Sequence, residues 1–154
     1  MLNPNPYMAL STALGFSATD LNANRLGVLT PYQRNRLSSQ RQQALSWPII
    51  VLLLLLVGGY LLHVEFILIA FIGACLVTLI IATWQRFQED LEGHVKVVAG
   101  QMAQHTLPLG RYAAVVDGQT FSLPKHLINT FNQNLHYRLY YTPGTRTILS
   151  AEII

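Results

Sequence analysis

His94, His105, His126 and His136, together with Asp117, are the residues from which a metal site or an acid–base pair would be drawn in this chain. No two of these histidines stand at helix spacing with a carboxylate. A zinc site would need paired cysteines or a His-Glu-x-x-His run, and the only cysteine is Cys75, inside an apolar stretch. The Gly-x-Ser-x-Gly elbow of a serine nucleophile is absent, and so is a glycine-rich phosphate loop. An enzyme would have to assemble its site from separated residues such as His126, Asp117 and His136. The expectation is therefore no enzymatic activity, no metal and no cofactor. More suggestive is His136-Tyr-Arg-Leu-Tyr-Tyr141, where strand alternation puts Tyr137 and Tyr141 on the face of Leu139 and Tyr140 beside Arg138 on the other. Arg138 and Tyr140 are thus a candidate interaction surface. Packing accounts for such tyrosines better than base stacking does, so no nucleic-acid partner is expected.

These residues must be positioned around an apolar hairpin. Residues 46–62 and 66–85 are two apolar runs separated by His63-Val64-Glu65, and each approaches the ~20 residues needed to cross a bilayer. The first is slightly short, with Trp47 and Tyr60 placed to serve as interfacial residues at its ends. A chain of 154 residues cannot wrap two helices that are apolar all round, so membrane spans are expected rather than a buried pair in a water-soluble fold. The apolar region starts far from Met1 with no cleavage site behind a short core, so the N-terminus is expected to stay attached. Arg25, Arg34, Arg36 and Arg41 precede the hairpin; Arg86, Lys96, Arg111, Lys125, Arg138 and Arg146 follow it, and the turn has none. The positive-inside tendency then places both termini in the cytoplasm of a multi-pass inner-membrane protein.

In lipid, apolar burial does not drive helix pairing, so small residues matter. Ala70, Ala74, Thr78 and Ala82, with Gly73 beside them, form a packing seam on the second span. It can receive Gly58 and Gly59 of the first span or the helix of another subunit. Glu65 and His63 fall at the interface and mark no ion pathway.

Ahead of the hairpin, residues 1–16 carry two Asn-Pro pairs without periodicity and read as a disordered tail. Residues 17–45 hold two helix starts: a cap at Ser17-Ala-Thr-Asp20, with an end near Gly27, and the capping box Thr30-Pro-Tyr-Gln33. The second helix exposes Arg34, Arg36 and Arg41 among polar residues, a juxtamembrane basic face suited to anionic lipid. Behind the hairpin, residues 86–93 extend the second span to a glycine cap at Gly93. Residues 94–154 then alternate as five strands, with turns at Asp117-Gly118 and Pro143-Gly144 and one or two helical turns in 124–131. This order suits a small all-β domain, a barrel of the OB or SH3-like kind.

Asn24-Arg-Leu-Gly-Val-Leu-Thr-Pro-Tyr-Gln-Arg-Asn-Arg-Leu37 and Tyr137-Arg-Leu-Tyr-Tyr-Thr-Pro-Gly-Thr-Arg-Thr-Ile-Leu-Ser-Ala-Glu152 resemble segments of small bacterial two-span membrane proteins with a cytoplasmic β domain. The architecture, with Leu107-Pro-Leu-Gly-Arg-Tyr-Ala-Ala-Val-Val-Asp-Gly-Gln-Thr-Phe121, is similar to short NfeD-type proteins, although Asn134-Leu135 stands where that family has glycine. The resemblance implies an OB domain beside membrane scaffolds. The expected role is a membrane-anchored interaction or scaffold protein, an accessory subunit or a homo-oligomer, with the bilayer and a protein as partners. An oligomeric channel lined by Thr78 and Thr83 is the alternative.

Overall fold

The computed structural model describes residues 6–61, 66–107, 111–132 and 134–154. Four helices come first: α1 (Pro6–Leu14), α2 (Ala18–Arg25), α3 (Pro31–Leu61) and α4 (Phe66–Leu91). Five strands follow: β1 (Lys96–Leu107), β2 (Arg111–Val116), β3 (Gln119–Leu123), β4 (His136–Tyr141) and β5 (Ile148–Ile153), with a 3₁₀ segment, Lys125–Thr130, ahead of β4. The expected interhelical turn at His63 to Glu65 lies outside the described residues.

Residues 6–14 correct the expectation of a disordered tail. Pro6 occupies the first helical position, where its missing N–H is no loss. Leu10 and Leu14, four residues apart, are both buried. Gly15, at φ +67, ends the helix with its N–H on the Ser11 carbonyl at 2.8 Å. The helix has a face to bury because the β domain offers a core: Leu10, Leu14, Phe16 and Leu21 join one cluster with Met102, Phe121, Tyr137 and Leu139. The β domain is therefore not confined to residues 94–154. It is built from both ends of the chain.

The two cap signals form as the sequence implies. The Ser17 hydroxyl accepts from the Asp20 N–H while Asp20 takes the Ser17 N–H; Thr30 and Gln33 exchange the equivalent pair, each at 3.3 Å. From Pro31, α3 runs without a break to Leu61, straight through Pro48. The boundary expected near Ser46 is thus one of composition, and a helix tolerates an interior proline better where neighbouring groups satisfy the freed carbonyl. At 1.5 Å per residue, α3 is about 46 Å long and α4 about 39 Å. Both are long and apolar enough to cross a membrane, and their apolar side chains stand mostly exposed.

Among the less exposed positions, α4 offers the series Ile69, Gly73, Leu76, Ile80, Thr83, Phe87, Asp90, and α3 the series Arg41, Leu45, Pro48, Leu52, Leu55, Gly59, flanked by Val51 and Gly58. Both series step by fours and threes, the spacing of a left-handed antiparallel pair. Gly59 lets Ile69 approach so closely that a Cβ there would lie 2.4 Å from the Ile69 Cδ1.

The strands form one antiparallel sheet in the order β3-β2-β1-β4-β5. β1 extends well beyond the run expected from its sequence and serves two ladders: Lys96 to Gln101 pair with β4, and Met102 to Leu107 pair with β2. A strand shared in this way curls the sheet into a half-barrel around Met102, Ala114, Val116, Phe121 and Leu139. Asp117 (φ +48) and Gly118 (φ +73) form the two-residue β2–β3 turn, with both residues in the left-handed region. The β4–β5 connection is longer than a simple Pro143-Gly144 turn. Thr142 and Thr147 close it, and its left-handed residue is Arg146 (φ +55).

Candidate functional site

The helical pair meets the β domain at one heavily bonded point. Asp90, in the last turn of α4, is fully buried, and its carboxylate lies under the β4–β5 loop. It accepts the N–H of Gly144 at 2.7 Å and that of Thr145 at 3.1 Å, together with the Thr145 hydroxyl. Two successive backbone N–H groups converging on a carboxylate make a small anion nest, and these charge-assisted bonds compensate the burial. The loop is stiffened by its own threonines: Thr142, Thr145 and Thr147 hydroxyls lie 3.1 and 2.8 Å apart, and the Thr147 N–H reaches the Thr142 hydroxyl at 3.1 Å. Gly144 is needed here for proximity, because a Cβ would fall 2.0 Å from the Arg86 carbonyl oxygen. Gly144 does lie in a turn, Pro143 to Thr145, but without the positive φ a type II turn would ask of it.

A second cluster ties α2 to the sheet. Glu152 on β5 accepts from Arg25, from Arg138 at 3.0 Å and from the Tyr140 hydroxyl at 2.7 Å. Burial pushes the Glu152 carboxyl upward, but the bonds from Arg25, Tyr140 and Arg138 outweigh it and hold it below the ordinary glutamate range. Burial, then the hydrogen bond donated to Glu152 and the charge of that carboxylate, push the Tyr140 hydroxyl up. The candidate surface of Arg138 and Tyr140 is accordingly corrected for Tyr140, which is only 2% exposed; Arg138 keeps an exposed side chain, 44% accessible, while pairing with Glu152. Next to it, Asn24 of α2 is fully buried and donates to Ser150 at 2.7 Å. Both sides of the β4–β5 ribbon are covered, which strand alternation alone cannot reveal.

The juxtamembrane arginines also have structural work. Arg36 donates to the Leu14 carbonyl at 2.8 Å, closing the end of α1. Arg41 lies over the Trp84 ring at 4.7 Å, bracing α3 against α4. Arg34 is exposed, with a guanidinium nitrogen 3.7 Å from where a Cβ on Gly93 would sit.

The seam residues separate. Gly73 faces α3, where a Cβ would stand 3.9 Å from Leu52, whereas Ala70, Ala74, Thr78 and Ala82 point away from α3 and are exposed. The Thr78 hydroxyl donates to the Ala74 carbonyl of its own helix at 2.9 Å. As for chemistry, Asp117 borders Gly100, and His136 pairs across from Gln101 on the same strand. The side chains of His105 and His126 lie outside the described ones. Among the described residues, no three of His, Cys, Asp and Glu are placed to hold a metal ion.

Comparison with family models, curated proteins and solved structures returned no match. The functional reading therefore rests on geometry. Asp90 and Glu152 carry that geometry, and sequence reasoning passed over both. The available signals were an acid closing the four-three repeat of α4 and a lone carboxylate within the otherwise uncharged strand Ile-Leu-Ser-Ala-Glu-Ile.

Proposed function

We propose that this protein is a membrane-anchored interaction or scaffold protein of the inner membrane. It acts as an accessory subunit or self-associates, and it presents its β domain as a docking module on the cytoplasmic side. One observation carries the reading: the helical hairpin is an insertion within a single domain whose two parts, residues 6–25 and the strands, share a core and are bonded to each other through Asn24–Ser150 and Arg25–Glu152. Both flanks of the hairpin must then occupy one side of the bilayer, which agrees with the arginine distribution. The Asp90 nest fixes the module against the hairpin, as suits a platform held at a set orientation.

The strand order, the long curled β1 serving both halves, and a helical turn between β3 and β4 support an OB-type, partly open barrel. A channel gains no such support, because the Thr78 hydroxyl is spent on its own helix. The outward Ala70, Ala74, Thr78 and Ala82 favour a protein neighbour in the membrane. The test is affinity purification of the tagged full chain in mild detergent after in-membrane cross-linking. A defined partner or homo-oligomer is expected; a monomer that traps nothing overturns the reading.

A further inference from the structure

We infer that the cleft between the end of α4 and the β4–β5 loop is a binding site for the phosphate of an anionic glycerophospholipid headgroup. The cleft has a volume of about 530 Å³ and is lined by Thr83, Arg86, Phe87, Gly144, Thr145 and Arg146. Two arginines therefore line one recess. Neither Arg86 nor Arg146 forms an ion pair among the described residues, whereas Arg25 and Arg138 are both committed to Glu152. The nearest carboxylate, Asp90, does not neutralise them by direct contact; its oxygens are occupied by the Gly144 and Thr145 groups. Glu89 and Glu92 are exposed and do not line the cleft.

Arg146 is held there at φ +55, a conformation glycine or asparagine would adopt more readily. Its N–H is fixed to the Thr142 carbonyl at 3.1 Å inside a loop that is itself fastened to α4. A rigid loop that imposes an unfavourable backbone on an exposed arginine points to a use for that side chain.

Depth supplies the choice of ligand, and this step rests on the membrane-spanning reading above. Trp84, braced by Arg41, marks the interfacial belt of α4. Thr83 lies one residue before it, and Arg86 lies two residues beyond, about 3 Å further along the helix axis. The cleft thus opens at headgroup level. Guanidiniums match phosphate oxygens in a bidentate manner, and Phe87 and Pro143 offer apolar walls to the glycerol and upper acyl carbons.

The full chain would be reconstituted into nanodiscs of phosphatidylcholine with and without phosphatidylglycerol, then extracted in mild detergent, and its retained lipid weighed by native mass spectrometry. Wild type should retain phosphatidylglycerol in preference to phosphatidylcholine. Arg86→Ala with Arg146→Ala should lower that preference roughly tenfold or more, while Lys96→Ala with Lys125→Ala, which removes equal charge from two exposed positions of the β domain, should change it less than about twofold. Thermal melting of each variant confirms folding, and Arg86→Lys with Arg146→Lys, which retains charge without the fork, should fall between. Equal losses in both double variants would overturn the site in favour of diffuse attraction. Displacement of the lipid by millimolar inorganic phosphate would overturn it in favour of a soluble ligand. A chain that enters nanodiscs without lipid preference sinks this inference alone, whereas one that never enters them sinks the membrane reading as well.

Discussion

Glu152 is one of three groups whose folded environment makes the stability of this protein depend on pH. Glu152 is held below its ordinary value of 4.5, and Asp20, where burial is outweighed by bonds from Thr30 and Ser17, below 3.8. The unfolded chain takes up these protons first as pH falls. Their stabilisation is therefore complete above those values and is lost as pH drops through the lower folded ones. Tyr140, raised above 10.0, works in the opposite sense: its contribution holds below pH 10 and disappears as pH climbs past the folded value. Melting curves across acid pH should show Glu152→Gln less stable than wild type near neutrality and with a shallower acid decline. Gly144→Ala is a sharper case. Its Cβ would strike backbone, the Arg86 carbonyl, so we expect a loss of roughly 2–4 kcal/mol in denaturant unfolding. Gly118→Ala, with open space around it but a left-handed backbone, should lose only about 1 kcal/mol in the same assay.

At the scale of elements, the capped helices, the apolar pair and the Asp117-Gly118 hairpin were legible because each depends on neighbours in sequence. The Ser17–Asp20 box, the four-three apolar steps and the left-handed turn need nothing from elsewhere in the chain. Helix α1 was not legible, since its short apolar face is meaningful only against strands beginning at Lys96. The fate of Tyr140 was hidden for the same reason: α2 covers a strand face that alternation assigns to solvent. Leu10→Ala and Leu14→Ala should each remove about 2–5 kcal/mol and speed amide exchange in β5, as no surface tail would. Within the hairpin, Gly59→Leu should force α3 from α4 and lower the melting temperature in detergent. Ala74→Leu, on the outward face, should leave the hairpin intact and weaken only association between chains, read by cross-linking yield.

For the whole molecule, the Asp90 nest fastens the hairpin to the β domain, while the Arg41–Trp84 contact holds the two helices of the hairpin together. Asp90→Ala should uncouple them. Exchange protection should fall in residues 142–147 while the spans stay intact, and a uniform loss across the protein would show that the nest sustains the fold itself. The two-part domain also has a consequence for synthesis. Asn24 and Ser150 are 126 positions apart, so at about 5–20 residues per second the ribosome needs roughly 6–25 s to deliver the partner of a helix it has already released. During that interval Leu10, Leu14, Phe16 and Leu21 have no core to enter, and if the hairpin spans the membrane as proposed above it is handed to the bilayer in between. Assembly of this protein is thus a matter of timing, in which the hairpin is made, and on the membrane-spanning proposal inserted, before the two halves of the domain close on each other.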